Sequence, residues 1–471
     1  MEKQAYQFGA QGNVHADTNY LPGKFGFLTE KERAVQPEEK LFELSSGFAP
    51  PYWYADEPLT RIRQDTKSCW LDSDAAVKAL WEKDGTAPAQ TYFVPLCFKT
   101  DMPGEGNYRV TVELTARKEE ENLLIFHGCR HLVWKGALHQ GEKLRKSFTV
   151  HTAATIPNEK GVVCTRNYLN LAVVGHCPTL EKLTIEPINC PTLYLAGDST
   201  MADYAAEYPY HAAACYGGWG QALELYLNGN MAVCNQAHNG RTTESFRMEG
   251  HYDLVMERIR PEDYFLIEFG HNDQKHAHLQ AHNGYPANLK RFIAEIRAKG
   301  AYPLLATPIA RNTWLAQRGK AVYHDLLCEH SQACFAVGHE LNVPVLDVHG
   351  QAMAEIVRLG QGRSSAYYHV GDQTHTNDYG AVRAAGYAAR AVKNIGHEFP
   401  EYQPLRDAIA ATEQGWEPVP APLLAKPARL KDRADPNAQE GKMDAQDHQA
   451  EKDGAARLIE AVRAAKEAAK K

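Results

Sequence analysis

A chain of 471 residues exceeds the length at which one hydrophobic core stops growing, so two or three domains are expected, and 44% hydrophobic with 23% charged residues is an ordinary globular composition. No apolar run approaches the roughly 20 residues of a membrane span, which argues against a membrane partner. With 51 basic against 58 acidic residues the net charge is −7, and no basic stretch is interleaved with aromatics, so nucleic acid is not an expected partner.

The opening MEKQAYQFGAQGN lacks the positive, apolar and small-residue succession of a secretory signal. The 10 cysteines include no C-x-x-C pair and suit reduced thiols, so a cytoplasmic protein is expected. As far as Pro187, short β-rich runs (TYFVPLCF, YRVTVELTA, NLLIFHG, KSFTVHTAA, LNLAVVG) are separated by Gly, Pro, Asn or charged turns, which reads as an all-β sandwich. Within it, His127, Cys129 and His131 of FHGCRH have metal-like spacing, but no fourth ligand follows them; core packing is expected there, with no metal and no cofactor.

From Cys190 the pattern changes to apolar strands alternating with helix-length segments. TLYLAG precedes GWGQALELYLNG, MAVCNQA precedes TTESFRMEGHYDLVMERI, DYFLIEFG precedes YPANLKRFIAEIRAKG, YPLLATPIA precedes DLLCEHSQACFAVGHEL, and VPVLDV ends the series. Near-continuous apolar strands of this kind predict a parallel sheet with helices on both faces, which binds ligands at the carboxyl ends of its strands. Beyond about Tyr402 a Pro-rich stretch and AARLIEAVRAAKEAAKK read as a solvated, partly helical tail, with a docking helix as the alternative. The expected divisions are 1–188, 189–405 and 406–471.

Unusual polar residues collect at the strand ends. In LAGDSTMADY, Ser199 follows the first strand and precedes an expected helix, so it reads either as a helix cap or as a nucleophile. NQAHNGRTTESF offers Asn239 and Gly240 in a turn after the second strand, and EFGHND offers the Asn272 amide after the third. In VGDQTHTNDYGA, Asp372 and His375 lie three residues apart in one loop, the relation of a base and the acid that orients it.

GDST, the NGRT turn, FGHND and D-x-x-H together resemble the four blocks of the SGNH (GDSL-like) hydrolases, and most closely the rhamnogalacturonan acetylesterase family, over roughly residues 190–400. GGWGQ at 217–221 also looks like that family's GWGQ. The resemblance implies a flavodoxin-like three-layer α/β domain with Ser199 as nucleophile, His375 as base then acid, and Asp372 orienting it. It also implies an oxyanion hole from the Ser199 and Gly240 amides and the Asn272 side chain. Thr242 departs from the serine more usual after Gly-Arg. The opening YQFGAQGNVHADTNYLPGKFGF is similar to the galactose-binding-like sandwich that precedes the esterase in some bacterial relatives; there it could bind glycan or wall the cleft.

Trp219 and Tyr204 could stack on a sugar ring or pack. Arg241 could contact a uronate carboxylate or pair with an acid, and His271, His276, His278 and His282 could form a rim. Trp219, Arg241 and His271 are the substrate-contact candidates. The expected activity is metal-free serine hydrolysis of O-acetyl groups on pectic oligosaccharides. Its alternatives are a lipase or thioesterase on the same scaffold, for which no apolar lid is seen, and a non-catalytic glycan-binding protein.

Overall fold

A computed structural model describes residues 3–419 except 22, 29–60, 82–91, 157–162, 166 and 207–208. Two large antiparallel sheets, with smaller two- and three-stranded ones beside them, make up the described N-terminal region. Strands Gln4–Gln7, Lys182–Pro187, Gly106–Thr115 and Lys143–Thr152 form one in that spatial order; Phe25–Phe27, Leu96–Asp101, Tyr168–Val174, Glu120–His127 and His131–Leu138 form the other. Period-2 alternation turns Val110 and Val112 of the first sheet toward Phe98, Ile125, Leu169 and Leu171 of the second, and these residues share one apolar core.

The five-stranded sheet has no solvent face. Its alternate residues Cys97, Leu124, Phe126, Ala172 and Val174 join a different core, with Leu193, Leu195, Trp219 and Tyr226 of the C-terminal region. Two elements were not legible as such: the helix Ser73–Trp81 interrupts the expected all-β run, and the strand His131–Leu138 is held by pairing that sets Ile125 opposite Trp134.

The C-terminal region is built on a parallel sheet in the order Ala232–Asn235, Thr192–Gly197, Tyr264–Glu268, Tyr302–Ala306, Val345–Leu346. Strand order is therefore 2-1-3-4-5, a doubly wound α/β arrangement. Alternation again sorts the central strand. Tyr194 and Ala196 face the helices Gly284–Ala298 and Cys328–Leu341, while Leu193 and Leu195 face the helices Val348–Ser364 and Asp378–Lys393 and the N-terminal sheet.

Several expected helices are shorter. GWGQALELYLNG yields one turn at Trp219–Ala222 and a 3-10 turn at Leu223–Tyr226, because Leu227 is already extended and bridged to Ile409. TTESFRMEGHYDLVMERI is divided into Ser245–Met248 and His251–Arg258 by Gly250, whose φ of +90° is left-handed. The expected tail boundary at 406 is corrected as well: it falls inside the helix Gln403–Ala408, and Trp416 packs edge-on against Tyr379 with centroids 4.6 Å apart. Most of the Pro-rich stretch and the Ala/Lys/Glu segment lie outside the described residues. No helix among the described residues is long and apolar enough to cross a membrane, and none of the described cysteines is in a disulfide.

Arg130 pins the two regions together. In the turn after Glu120–His127 it is buried at φ +60°; its guanidinium donates to the carbonyls of Ala205 at 2.8 Å and Tyr216 at 2.6 Å and pairs with Asp378, which also accepts from Tyr210 Oη at 2.7 Å. Arg130→Met should cost about 3–5 kcal/mol in urea unfolding, since it strands a buried carboxylate and two carbonyls. Adding Asp378→Asn should recover part of that loss; an additive double variant would refute the coupling.

Candidate active site

Asp198, not Ser199, caps the turn that ends the central strand. Its Oδ1 accepts from the Thr200 amide at 3.0 Å and the Thr200 hydroxyl at 2.9 Å, and its carbonyl accepts from the Met201 and Ala202 amides. This local bonding stops the chain from entering the helix expected after GDST; residues 199–206 contain only turns and irregular backbone where described. The Ser199 hydroxyl is thereby left free to face another loop.

That loop follows the helix Val348–Ser364. His375 Nε2 is 2.8 Å from Ser199 Oγ, and His375 Nδ1 is 2.8 Å from Asp372 Oδ2. A carboxylate only accepts, so Nδ1 carries the proton and the Nε2 lone pair accepts from the serine hydroxyl. Asp372 Oδ1 accepts from the amides of Thr374 and His375 at 2.6 and 2.9 Å. Burial raises the Asp372 carboxyl, but the hydrogen bond and charge of His375 and these amides outweigh it and hold the group well below the usual carboxylate range. The loop is anchored by Thr376 Oγ1 donating to the Gly217 carbonyl at 2.6 Å and by Asn377, which caps the helix Asp378–Lys393.

Sheet order sets the neighbours. The strands ending near Gly240 and Asn272 flank the one ending at Ser199. The His238 amide donates to the Gly197 carbonyl at 3.1 Å, and Asn272 Nδ2 donates to the Arg241 carbonyl at 3.0 Å, so the two flanking loops are tied to each other and to the central strand. Gly240 is left-handed at φ +74°. Among the described residues the Ser199 and Gly240 amides have no protein acceptor, and Asn272 keeps a second N–H. Beyond the turn, Thr242 Oγ1 accepts from the Ser245 amide at 3.0 Å, a bond that the more usual serine would also make.

Three expected substrate contacts are corrected. Trp219 is 0% exposed and its indole donates to Glu268 Oε2 at 3.3 Å; Arg241 is 3% exposed and paired with Glu249; His271 is 1% exposed, with Nε2 2.9 Å from the Ile309 carbonyl. All three support the site from beneath. Tyr204 is also interior, its hydroxyl donating to the Ser199 carbonyl at 2.7 Å. His278 and His282 are exposed. The aromatic surface nearest the triad is instead a half-buried pair, Tyr216 and His369, stacked at 3.7 Å with Tyr216 edge-on to His375 at 5.9 Å. Their separation in the chain leaves no local signal for it.

Beneath Ser199 lies a buried acidic network. Glu268 accepts from the Ile309 amide at 3.0 Å and faces the Thr200 hydroxyl; burial and the nearby Asp198 charge push its carboxyl up to about 8. Asp198 moves the other way: burial opposes ionisation, but His271, with Nδ1 3.3 Å away, and the Thr200 bonds hold it down. Asp273 accepts from the Thr243 amide at 3.0 Å through Oδ1 while Oδ2 is buried, and desolvation raises it to about 7.

The model of the GDSL-like lipase/acylhydrolase family matches residues 195–383. The probable rhamnogalacturonan acetylesterase YesY of Bacillus subtilis is 30% identical over 212 residues, covering 43% of this chain and 93% of that protein. Rhamnogalacturonan acetylesterase RhgT of the same organism is 30% identical over 234 residues, covering 47% and 95%. The uncharacterized esterase YxiM, also from B. subtilis, is 28% identical over 218 residues, which is 46% of this chain but only 56% of that protein's length. Its crystal structure aligns with 83% of this chain and 98% of that chain at 21% identity and a TM-score of 0.41.

The network makes stability depend on pH. Asp273 titrates at about 7 when folded and near 4 when unfolded, so between those values the native state binds the extra proton and stability falls as pH rises. Asp273→Asn keeps the Oδ1 acceptor and should flatten that decline by up to about 1.4 kcal/mol per pH unit, read from unfolding curves at pH 5, 6 and 7. Parallel curves for variant and wild type would rule out the buried acid as the cause.

Proposed function

The chain belongs to the GDSL-like lipase/acylhydrolase family, and from that premise we propose that it is a serine esterase that removes O-acetyl groups from pectic, rhamnogalacturonan-type oligosaccharides. The observation that carries the reading is the unbroken relay Ser199 Oγ to His375 Nε2 to Asp372 at 2.8 Å per step. His375 takes the serine proton as Oγ attacks the acetyl carbonyl, then gives it to the departing sugar oxygen, which leaves as the free hydroxyl. Water, deprotonated by the same imidazole, then attacks the acetyl-serine carbonyl; the Oγ–C bond breaks, acetate leaves, and the proton returns to Ser199 Oγ. The amides of Ser199 and Gly240 and the second N–H of Asn272 are the donors for the oxyanion.

The pectic substrate is supported by the names of two relatives at 30% identity and by the small size of an acetyl group, which needs no long acyl tunnel. Selectivity then rests on the glycan side, with Tyr216 and His369 offering a stacking surface beside the triad.

Acetate release should be measured from acetylated rhamnogalacturonan oligosaccharides beside acetylated xylan, p-nitrophenyl acetate and a long-chain p-nitrophenyl ester. Pectic release should exceed the others, and Ser199→Ala should lower turnover by on the order of a million-fold, with Asp372→Asn costing less. Retained turnover in Ser199→Ala would overturn the nucleophile assignment. Faster cleavage of the long-chain ester would overturn the carbohydrate substrate and favour a lipase.

A further inference from the structure

A second polar cluster lies where the N-terminal region meets the α/β core. His127 ends one strand and His131 begins the next, so the short turn between them presents both imidazoles inward, with rings stacked at 5.2 Å. His127 Nε2 is 2.7 Å from Glu224 Oε2, and His131 Nδ1 is 3.0 Å from Glu224 Oε1. One donor atom from each of these three residues lies within 4.8 Å of the other two. Their side chains are only 4–7% exposed. Behind His131, Asp203 Oδ1 is 3.1 Å from Nε2 and is itself held by Asn235 Nδ2 at 2.8 Å.

We propose that His127, His131 and Glu224 bind a divalent transition-metal ion, Zn²⁺ by preference, and that Asp203 positions His131 for it. Two imidazole nitrogens and one carboxylate are a donor set suited to such ions and poorly suited to Ca²⁺ or Mg²⁺, which take oxygen. A carboxylate behind a ligating imidazole is the usual means of fixing its tautomer: Nε2–H donates to Asp203, and Nδ1, which here donates to Glu224 Oε1, would give up that proton to turn its lone pair to the ion. A cavity of about 50 Å³ lined in part by His127, His131, Asp203 and Asn235 adjoins the cluster, with room for a water to complete the coordination.

The sequence exposes only half of this set, since Glu224 arrives from the 3-10 turn Leu223–Tyr226 and Asp203 from the segment leaving Ser199. The ion would therefore tie the N-terminal hairpin to the α/β core behind the nucleophile. It is a structural cross-link, independent of the esterase reading.

The test uses the full chain, treated with EDTA, desalted and titrated with Zn²⁺ alone. One equivalent should be retained after desalting by elemental analysis, and Tm should rise with free Zn²⁺. Ser199→Ala and His375→Ala should bind equally well, which separates this site from the triad. Glu224→Gln should abolish retention, and Asp203→Asn should weaken it by about 10–100-fold. Should Glu224→Gln fail to fold, Co²⁺ added to wild type decides: visible d–d bands at one equivalent support the site, and their absence overturns it. No retained Zn²⁺ and no change in Tm, or equal retention by a folded Glu224→Gln, would mean that the four residues form only a hydrogen-bonded cluster.

Discussion

The structure depends on one sheet that is apolar on both sides. The strands Leu96–Asp101, Glu120–His127 and Tyr168–Val174 alternate between two cores without a polar face, so neither region can be stripped from the other without exposing Leu124, Phe126 and Val174 to water. Each large side chain so exposed costs about 1.5–3 kcal/mol. In a doubly wound sheet that covering layer is ordinarily helical. Here GWGQALELYLNG supplies only one helical turn, and the antiparallel sheet helps cover the face that Leu193 and Leu195 present. The N-terminal region is thus part of the second core.

The same junction also holds the turn at Ser199. Tyr204 donates to the Ser199 carbonyl, Arg130 holds the Ala205 carbonyl and Asp203 faces His131, so the segment leaving Ser199 is fixed in part by groups from the N-terminal hairpin. On the other side, Asp198 caps the turn and is set by Thr200 and His271. A serine held from both directions needs little reorganisation to meet His375, which is where positioning lowers a barrier.

Much of the site was legible because parallel sheets place their strand ends together. GDST, NGRT and FGHND each follow an apolar strand, and the order 2-1-3 makes them neighbours; Asp372 and His375 are local to one loop and required no tertiary knowledge. Side-chain direction was not legible. Trp219, Arg241 and His271 have the chemistry of a sugar site, yet packing turns each inward onto Glu268, Glu249 or the Ile309 carbonyl. Tyr216 and His369 meet only after folding, as do His131 and Glu224. Helix lengths failed where a tertiary pairing, such as Leu227 with Ile409, ended a segment earlier than its periodicity.

Charge beneath the serine follows from that inward turning. Asp198 and Glu268 are both fully enclosed, and two ionised carboxylates in one dry pocket repel strongly. His271 stands beside Asp198 alone, so Asp198 takes the negative charge and Glu268 retains its proton near neutral pH. A protonated Glu268 can donate to Thr200 while accepting from the Ile309 amide and the Trp219 indole, which satisfies the network without a second buried charge. In the proposed reaction the negative charge that develops on the acyl oxygen then faces one buried anion below it rather than two, and Trp219 and His271, which look like sugar contacts in the sequence, instead set that field.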